Sequence, residues 1–156
     1  MKNIQFLILA LFLASASLAQ EVSWTTTFEN SDGKRTATYE EVIEYCNRLA
    51  DASPKANYKV MGMSAGGYEI PMMILNKTGL STPEDVRASG DLVMLIEGGI
   101  HPGEAEGTDA ILMLMRDIVI SGKHESLLEN ITFIFIPAFN VDGLNRFGPY
   151  NRINQN

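Results

Sequence analysis

The chain has 156 residues, of which 46% are hydrophobic and 20% are charged, the composition of an ordinary globular domain. The chain has 12 Lys and Arg residues against 19 Asp and Glu residues, so its formal net charge is -7. A negative protein binds phosphate groups poorly, so we expect no nucleic acid ligand. The 13 glycines and 6 prolines are scattered and no sequence period persists, which excludes collagen-like, coiled-coil and tandem-repeat proteins.

The first residues have the pattern of a secretory signal peptide. Lys2 precedes an uninterrupted apolar stretch at residues 6–14, and the small residues Ser17 and Ala19 fit a cleavage site. We therefore expect residues 1–19 to be removed and the protein to be secreted or periplasmic. A membrane anchor is the alternative, but the apolar stretch is shorter than the ~20 residues of a spanning helix, so we expect no stable membrane anchor.

An amphipathic helix is predicted over residues 39–52. Thr38 and Glu41 have the spacing of a capping box, which marks a helix start. Apolar side chains then follow at helical spacing: Val42, Cys46 and Leu49. Cys46 is the only cysteine, so it forms no disulfide within the chain, and its place on the apolar face predicts an unreactive core thiol.

Two β-rich runs come next, at residues 58–63 and 68–75. The residues between them, Ser-Ala-Gly-Gly, form turns readily, so a β-hairpin is the simplest interpretation. Residues 77–91 are polar with interspersed Gly and Pro, which predicts a surface loop.

A strand, a helix and a second strand are predicted in the following 45 residues. Residues 92–96 form a continuous apolar run, typical of a strand buried on both faces. A helix is predicted over residues 108–120, ending before Gly122, and a second strand over residues 131–136. Such a βαβ unit requires parallel pairing and a right-handed crossover. We therefore predict an α/β fold with a mixed, largely parallel sheet flanked by helices.

Polar residues follow both predicted strands. His101 and Glu104 come after the first strand, and an Asn-Val-Asp-Gly segment at residues 140–143 comes after the second. In open α/β sheets, ligand sites lie beyond the carboxyl ends of the strands. The two loops are therefore expected to meet at one edge of the sheet.

The spacing of His101 and Glu104 suits a metal ion. Pro102 restricts one backbone torsion and Gly103 has no Cβ, so a tight turn can aim an imidazole and a carboxylate at a point ~2 Å from each, as zinc requires. The spacing alone is weak evidence for a metal site, because 19 of 156 residues are acidic and an acidic residue three positions after a histidine can occur by chance. The alternative is a hydrogen-bonded loop histidine beside a helix N-terminal carboxylate. Carboxylates favoured by the helix dipole also follow, at Glu106 and Asp109.

The order of these motifs resembles the zinc carboxypeptidase (carboxypeptidase A-like) family. In that family an H-x-x-E pair supplies two zinc ligands, and an N-P-D-G turn follows the next strand. Here the pair is His101 and Glu104, while Val141 replaces the proline of the turn. The G-x-S-x-x-G segment at residues 62–67 also resembles the early strands of the family, and the resemblance extends over roughly residues 39–156.

The resemblance implies a Zn²⁺ cofactor but only part of a catalytic site. The family's downstream third ligand (a His), its later Tyr and its general-base Glu do not appear. His124 lies in a polar turn at the amino end of the sheet, where we expect it to be solvent-exposed and not a ligand. We therefore expect residues 20–156 to be the N-terminal portion of a catalytic domain. Alone it should lack a catalytic residue, be poorly soluble and be inactive.

Substrate binding is implied, again by the resemblance, for residues after the Asn-Val-Asp-Gly segment. One Arg of the family polarises the scissile carbonyl, and a later Asn-Arg pair binds the substrate's terminal carboxylate. Arg152 is our choice for the first role, although Asn151 and Arg152 could instead form the pair, and Asn145-Arg146 is a competing candidate. A guanidinium suits either role because its planar fork binds carboxylates and stays charged.

The function implied by the resemblance is zinc-dependent hydrolysis of C-terminal peptide bonds, with the C-terminus of a peptide or protein as substrate. A zinc amidohydrolase of the aspartoacylase or desuccinylase type is an alternative, because it shares the H-x-x-E pair, although the secretory leader counts against it. The second alternative is a non-catalytic secreted binding module that keeps half a site.

Overall fold

The computed structural model describes the chain in four parts, residues 23–101, 103–146, 148 and 151. The predicted signal peptide and Arg152 lie outside these parts. The α-helices are α1 (Thr27–Asn30), α2 (Tyr39–Ala52), α3 (Pro83–Ser89), α4 (Glu106–Val119) and α5 (Val141–Asn145). The strands are β1 (Ala56–Met63), β2 (Glu69–Leu75), β3 (Leu92–Glu97) and β4 (Ile131–Ile136), and a 3₁₀ helix spans Glu125–Glu129. Within this described part, no helix is long and apolar enough to cross a bilayer.

Helix α2 begins as the capping box predicts. The Glu41 backbone N–H donates to the Thr38 hydroxyl at 3.4 Å, and the Thr38 N–H donates to the Glu41 carboxylate at 2.8 Å. One face of the helix is buried, including Cys46. Burial raises the pKa of the Cys46 thiol to about 12, so the thiol stays protonated at neutral pH and belongs to the core.

Strands β1 and β2 form the predicted hairpin. They pair antiparallel from Ala56 opposite Leu75 to Met63 opposite Glu69. The turn is closed by the Ser64 N–H, which donates to the Tyr68 carbonyl at 2.8 Å.

The sheet has the strand order β1-β2-β4-β3. Strands β3 and β4 pair parallel, in the register that places Leu92 opposite Ile131 and Glu97 opposite Ile136. Strand β2 pairs antiparallel with β4. The mixed α/β fold is therefore confirmed, but the described sheet is less parallel than expected, because the hairpin adds two antiparallel pairings to the single parallel one.

Helices α2 and α4 pack on one face of this sheet and enclose the core. Phe133 and Phe135 point into it from β4, with their rings stacked at a centroid distance of 5.4 Å. Helix α4, predicted over residues 108–120, starts two residues earlier and contributes the buried side chains Ile111, Leu112, Met115 and Ile118.

Strand β3 is where the sequence-based expectation is wrong. It was predicted to be buried on both faces, yet four consecutive apolar side chains are exposed, by 65% (Leu92), 50% (Val93), 39% (Met94) and 56% (Leu95). The physical reason is its position: in the described part of the chain, β3 is the edge strand and pairs with β4 alone. Apolar sequence shows a preference for burial, whereas actual burial depends on which neighbours are present.

The predicted loop at residues 77–91 contains helix α3. Thr82 caps it by accepting the Asp85 N–H at 3.2 Å, Pro83 occupies its first turn, and Gly90 ends it with φ of +77°. All three residues are ordinary helix-boundary signals, so the helix was detectable despite its short length.

The segment before α2 folds back onto α4 through polar contacts. The Arg116 guanidinium donates to both oxygens of Glu29, at 2.6 and 2.8 Å, and to the Trp24 carbonyl at 3.3 Å. The buried Asp109 carboxylate accepts the Ala37 N–H at 3.3 Å. Asp109 therefore has a tertiary partner in addition to its favourable place in the first turn of the helix.

Candidate metal site

The two predicted site loops meet at the carboxyl edge of β3 and β4. The Gly98 N–H donates to the Ile136 carbonyl at 2.9 Å, and the Asn140 N–H donates to the Gly99 carbonyl at 2.9 Å. The parallel pairing thus continues beyond the strand ends and joins the loop that carries His101 to the loop that carries residues 140–143.

Two glycines allow the first loop to lie against helix α4. A Cβ on Gly98 would come within 2.8 Å of Ile111 Cδ1 and 2.9 Å of the Gly107 carbonyl carbon. Gly99 has φ of +60°, and a Cβ there would lie 2.9 Å from Thr108 Oγ1. This close approach is possible only without side chains, which explains the Gly-Gly pair after β3.

The candidate ligands face each other across a tight turn. His101 Nδ1 lies 3.1 Å from Glu104 Oε2, and the Glu104 N–H donates to the His101 carbonyl at 3.4 Å. Gly103 takes φ of +78°, a conformation that favours glycine. Both side chains are accessible, His101 by 57% and Glu104 by 48%, so a metal ion or substrate can reach them.

The spacing of this pair fits zinc. Two donor atoms that each lie ~2.0–2.1 Å from a tetrahedral zinc ion are about 3.3 Å apart, close to the distance found between Nδ1 and Oε2. An imidazole nitrogen and a carboxylate oxygen are both zinc ligands. No group of three or more His, Cys, Asp or Glu residues suited to a metal occurs among the residues described here.

His124, which the sequence analysis excluded as a ligand, precedes the 3₁₀ helix and the amino end of β4. It is half-buried, not fully exposed as expected. Its N–H donates to the Asp117 carbonyl at 3.2 Å, which holds it against the end of α4.

A small pocket adjoins the His101–Glu104 pair, and the second loop forms its far wall through Ala138, Asn140 and Leu144. Thr108 on α4 also lines it. The Thr108 hydroxyl is buried and has no hydrogen-bond partner among the described residues, a feature that sequence reasoning missed.

The Asn-Val-Asp-Gly segment forms the start of α5. The Asn140 side chain caps the helix by accepting the Gly143 N–H at 2.9 Å. Val141, which replaces the family's proline, is fully buried in the core. The Asp142 carboxylate accepts the Ser64 hydroxyl at 2.7 Å, a contact that sequence reasoning also missed.

Two of the candidate substrate-binding residues, Arg146 and Asn151, follow α5 in the chain and are described. The Asn151 side-chain amide donates to the Gly143 carbonyl at 2.7 Å, so this side chain is fixed to α5. Arg146 is exposed, and its backbone N–H also donates to the Gly143 carbonyl, at 3.1 Å. Arg152 lies outside the described residues.

Comparison with known proteins identifies relatives of this chain. A sequence profile of the zinc carboxypeptidase family matches residues 42–156. Carboxypeptidase 2 of Trichophyton rubrum is 30% identical over 123 residues, which are 77% of this chain and 22% of that protein. The inactive metallocarboxypeptidase ECM14 of Ajellomyces capsulatus is 32% identical over 107 residues, which are 65% of this chain and 17% of that protein.

Among solved structures, carboxypeptidase A from Helicoverpa armigera superposes with a TM-score of 0.68 at 22% identity. The superposition covers 99% of this chain and 36% of that structure, which shows a shared fold. The chain spans well under half the length of each of these three proteins.

Proposed function

The chain belongs to the zinc carboxypeptidase family, and on this premise we propose that the full-length protein is a zinc-dependent carboxypeptidase that hydrolyses the C-terminal bond of a peptide or protein. His101 and Glu104 are its proposed metal ligands. The observation that supports this proposal best is the 3.1 Å separation of His101 Nδ1 and Glu104 Oε2 on an accessible turn at the carboxyl edge of the sheet.

Each ligand has a defined task in this proposal. Zinc, when bound, lowers the pKa of a bound water toward ~7 and polarises the scissile carbonyl. His101 and Glu104 would hold the zinc ion as ligands, through an imidazole nitrogen and a carboxylate oxygen, so neither would act as general acid or base. The backbone N–H groups of Phe139 and Asn140 donate to the carbonyls of Gly98 and Gly99, which ties the turn of His101 and Glu104 to the second loop.

The substrate's terminal carboxylate is assigned to the loop after α5. Arg152 is proposed to polarise the scissile carbonyl or, with Asn151, to bind the terminal carboxylate, and Arg146 is the competing candidate. A guanidinium binds a carboxylate through two parallel hydrogen bonds, which fixes orientation as well as position. The proposed signal peptide at residues 1–19 would place this activity outside the cytoplasm.

A metal-binding and turnover experiment tests the proposal. In the full-length protein we expect about one zinc per chain by mass spectrometry, and release of the C-terminal residue from peptides with a free carboxylate. His101→Ala and Glu104→Ala should each weaken zinc binding by at least about tenfold, since each removes a direct ligand. His124→Ala is the matched control, because it changes the same residue type away from the site. Undiminished zinc in the His101→Ala protein would refute the assignment.

A non-catalytic binding role is the second candidate. Its support is the similarity to an inactive metallocarboxypeptidase, which is 32% identical over 107 residues. The same preparation separates the candidates: a binding module would retain peptide without cleaving it. Faster turnover of N-acyl amino acids than of peptides would instead indicate a zinc amidohydrolase.

A further inference from the structure

The β1–β2 turn holds the Asp142 carboxylate through two hydrogen bonds. Asp142 Oδ1 accepts the Ser64 hydroxyl proton at 2.7 Å, and Asp142 Oδ2 accepts the Gly66 N–H at 3.2 Å. The Ser64 oxygen in turn accepts the Tyr68 N–H at 3.1 Å, which directs the hydroxyl proton toward Asp142. Ser64 and Asp142 are 78 residues apart in the sequence, so this contact joins two distant parts of the chain.

Gly66 fits closely against this carboxylate. A Cβ on Gly66 would lie only 2.3 Å from Asp142 Oδ1 and 3.1 Å from Asp142 Cγ. Gly66 does not have a positive φ, so its backbone conformation would accept a side chain. The reason for a glycine here is therefore the position of the carboxylate.

The segment that carries Asp142 also contacts the turn of the proposed zinc ligands. Asn140 lies two residues before Asp142, and its N–H donates to the Gly99 carbonyl at 2.9 Å. Gly99 lies two residues before His101. Asn140 also lines the pocket beside the ligand pair. A short path of backbone and one hydrogen bond thus connects Asp142 to the metal site.

Residues 137–140 connect strand β4 to helix α5 and need an anchor at each end. The upstream end continues from β4, which belongs to the sheet. The downstream end enters α5, which has five residues, and isolated helices so short are unstable in water. The described anchors of α5 include the buried Val141 side chain and the Asp142 carboxylate. Apolar burial has no direction, whereas two hydrogen bonds to one carboxylate specify the orientation of the helix.

We propose that the β1–β2 turn is an outer support of the metal site: it fixes Asp142, and Asp142 holds residues 139–140 against the turn that carries the zinc ligands. Asp142 is a positioning residue in this arrangement, because it acts through Asn140 and Gly99 and not on the metal itself. The inference rests on the proposed function for the identity of the zinc ligands.

Gly66→Ala tests this support without changing any residue of the metal turn. The Asp142 carboxylate can rotate away from the added Cβ, but it then loses its hydrogen bonds to the β1–β2 turn. In the full-length protein we expect zinc affinity to fall about tenfold, the lower end of the effect of losing a group that orients a ligand. Gly62→Ala is the matched control, because it lies in the same hairpin and no atom lies within 4 Å of its added Cβ. Its zinc affinity should equal that of the wild type.

A double variant separates this effect from general destabilisation. Asp142→Ala removes the carboxylate and should weaken zinc binding by a similar factor. In the Asp142→Ala protein, Gly66→Ala should cause no further loss, because the oxygen with which its Cβ collides is gone. Additive losses, or equal zinc affinity in Gly66→Ala and Gly62→Ala, would overturn the proposal. Ser64→Ala removes one hydrogen bond and adds no atom, so it replaces these variants if they fold poorly; an unchanged zinc affinity would then count against the proposal in the same way.

Hydrogen exchange tests the support in the absence of zinc. The N–H groups of Phe139 and Asn140 donate to the carbonyls of Gly98 and Gly99, and they should exchange faster in metal-free Gly66→Ala than in the wild type. Amides of α2 should exchange at the wild-type rate. Unchanged exchange at residues 139 and 140 would overturn the proposal. If the wild type binds no zinc, the proposed function fails, and the exchange result still decides whether the β1–β2 turn holds this segment.

Discussion

The close approach of Gly98 to helix α4 leads to a quantitative prediction for Gly98→Ala. The added Cβ would lie 2.8 Å from Ile111 Cδ1, 2.9 Å from the Gly107 carbonyl carbon and 3.0 Å from its oxygen. The Ile111 side chain can rotate away, but the Gly107 backbone belongs to the first turn of α4 and cannot. The strand end and the helix must therefore separate.

Such overpacking costs about 1–3 kcal/mol of unfolding free energy. Each kcal/mol corresponds to at most about 2–4 °C in the Tm of a domain of 150 residues or more, so we expect Gly98→Ala to lower the Tm of the full-length protein by up to roughly 12 °C. The same displacement moves the turn that carries His101 and Glu104. Zinc affinity should therefore fall as well, by about tenfold if one ligand moves out of place.

Gly62→Ala is the matched control, because no atom lies within 4 Å of the Cβ it would add and its φ is not positive. Thermal unfolding and zinc titration of both variants in the full-length protein provide the comparison. Equal Tm values for Gly98→Ala and Gly62→Ala would refute the reasoning. A large loss of Tm with unchanged zinc affinity would show that the turn is independent of α4.

Two further predictions concern an ion pair and an exposed strand. Burial disfavours the charged form of Glu29, but hydrogen bonds from Thr26 and Arg116 outweigh this effect and hold the Glu29 pKa below the ordinary 4.5. The ion pair therefore stabilises the fold at neutral pH, and this stabilisation is lost as the pH falls through the lowered pKa. In urea unfolding, Glu29→Gln should be less stable than the wild type at pH 7, by a difference that shrinks below pH 4.5. Leu95→Lys should raise the soluble yield of the 156-residue chain, because a charge on an exposed apolar edge strand opposes pairing between chains. Leu127→Lys adds the same charge at an exposed leucine of the 3₁₀ helix, not on the edge strand, and should not raise it; equal yields would contradict this prediction.

Elements marked by local signals were predictable from the sequence. Helix α2 has the predicted bounds because the Thr38–Glu41 capping box and the apolar spacing agree. Strand β4 matches its predicted range, since a β-branched and aromatic run ends at a proline. In both cases the residues that determine the element lie within it or next to it.

Properties that depend on distant partners were not predictable. The antiparallel pairing of β2 with β4 joins segments about 60 residues apart, and nothing local to either strand specifies it. The exposure of β3 follows from its edge position, a property of the whole sheet. The apolar content of a segment predicts that it forms a strand, but the number of strands that pair with it depends on the tertiary structure.

The candidate site divides in the same way. His101 and Glu104 belong to one turn, so their spacing in the sequence already limits their distance in space, and the pair could be predicted. The contact of Asp142 with Ser64 spans 78 residues and leaves no spacing signal. Its trace in the sequence is indirect: a Cβ on Gly66 would collide with the Asp142 carboxylate, and the described hydrogen-bond partners of that carboxylate lie in the β1–β2 turn. Each of the two motifs therefore explains a residue of the other, which identifies them as parts of one structural unit.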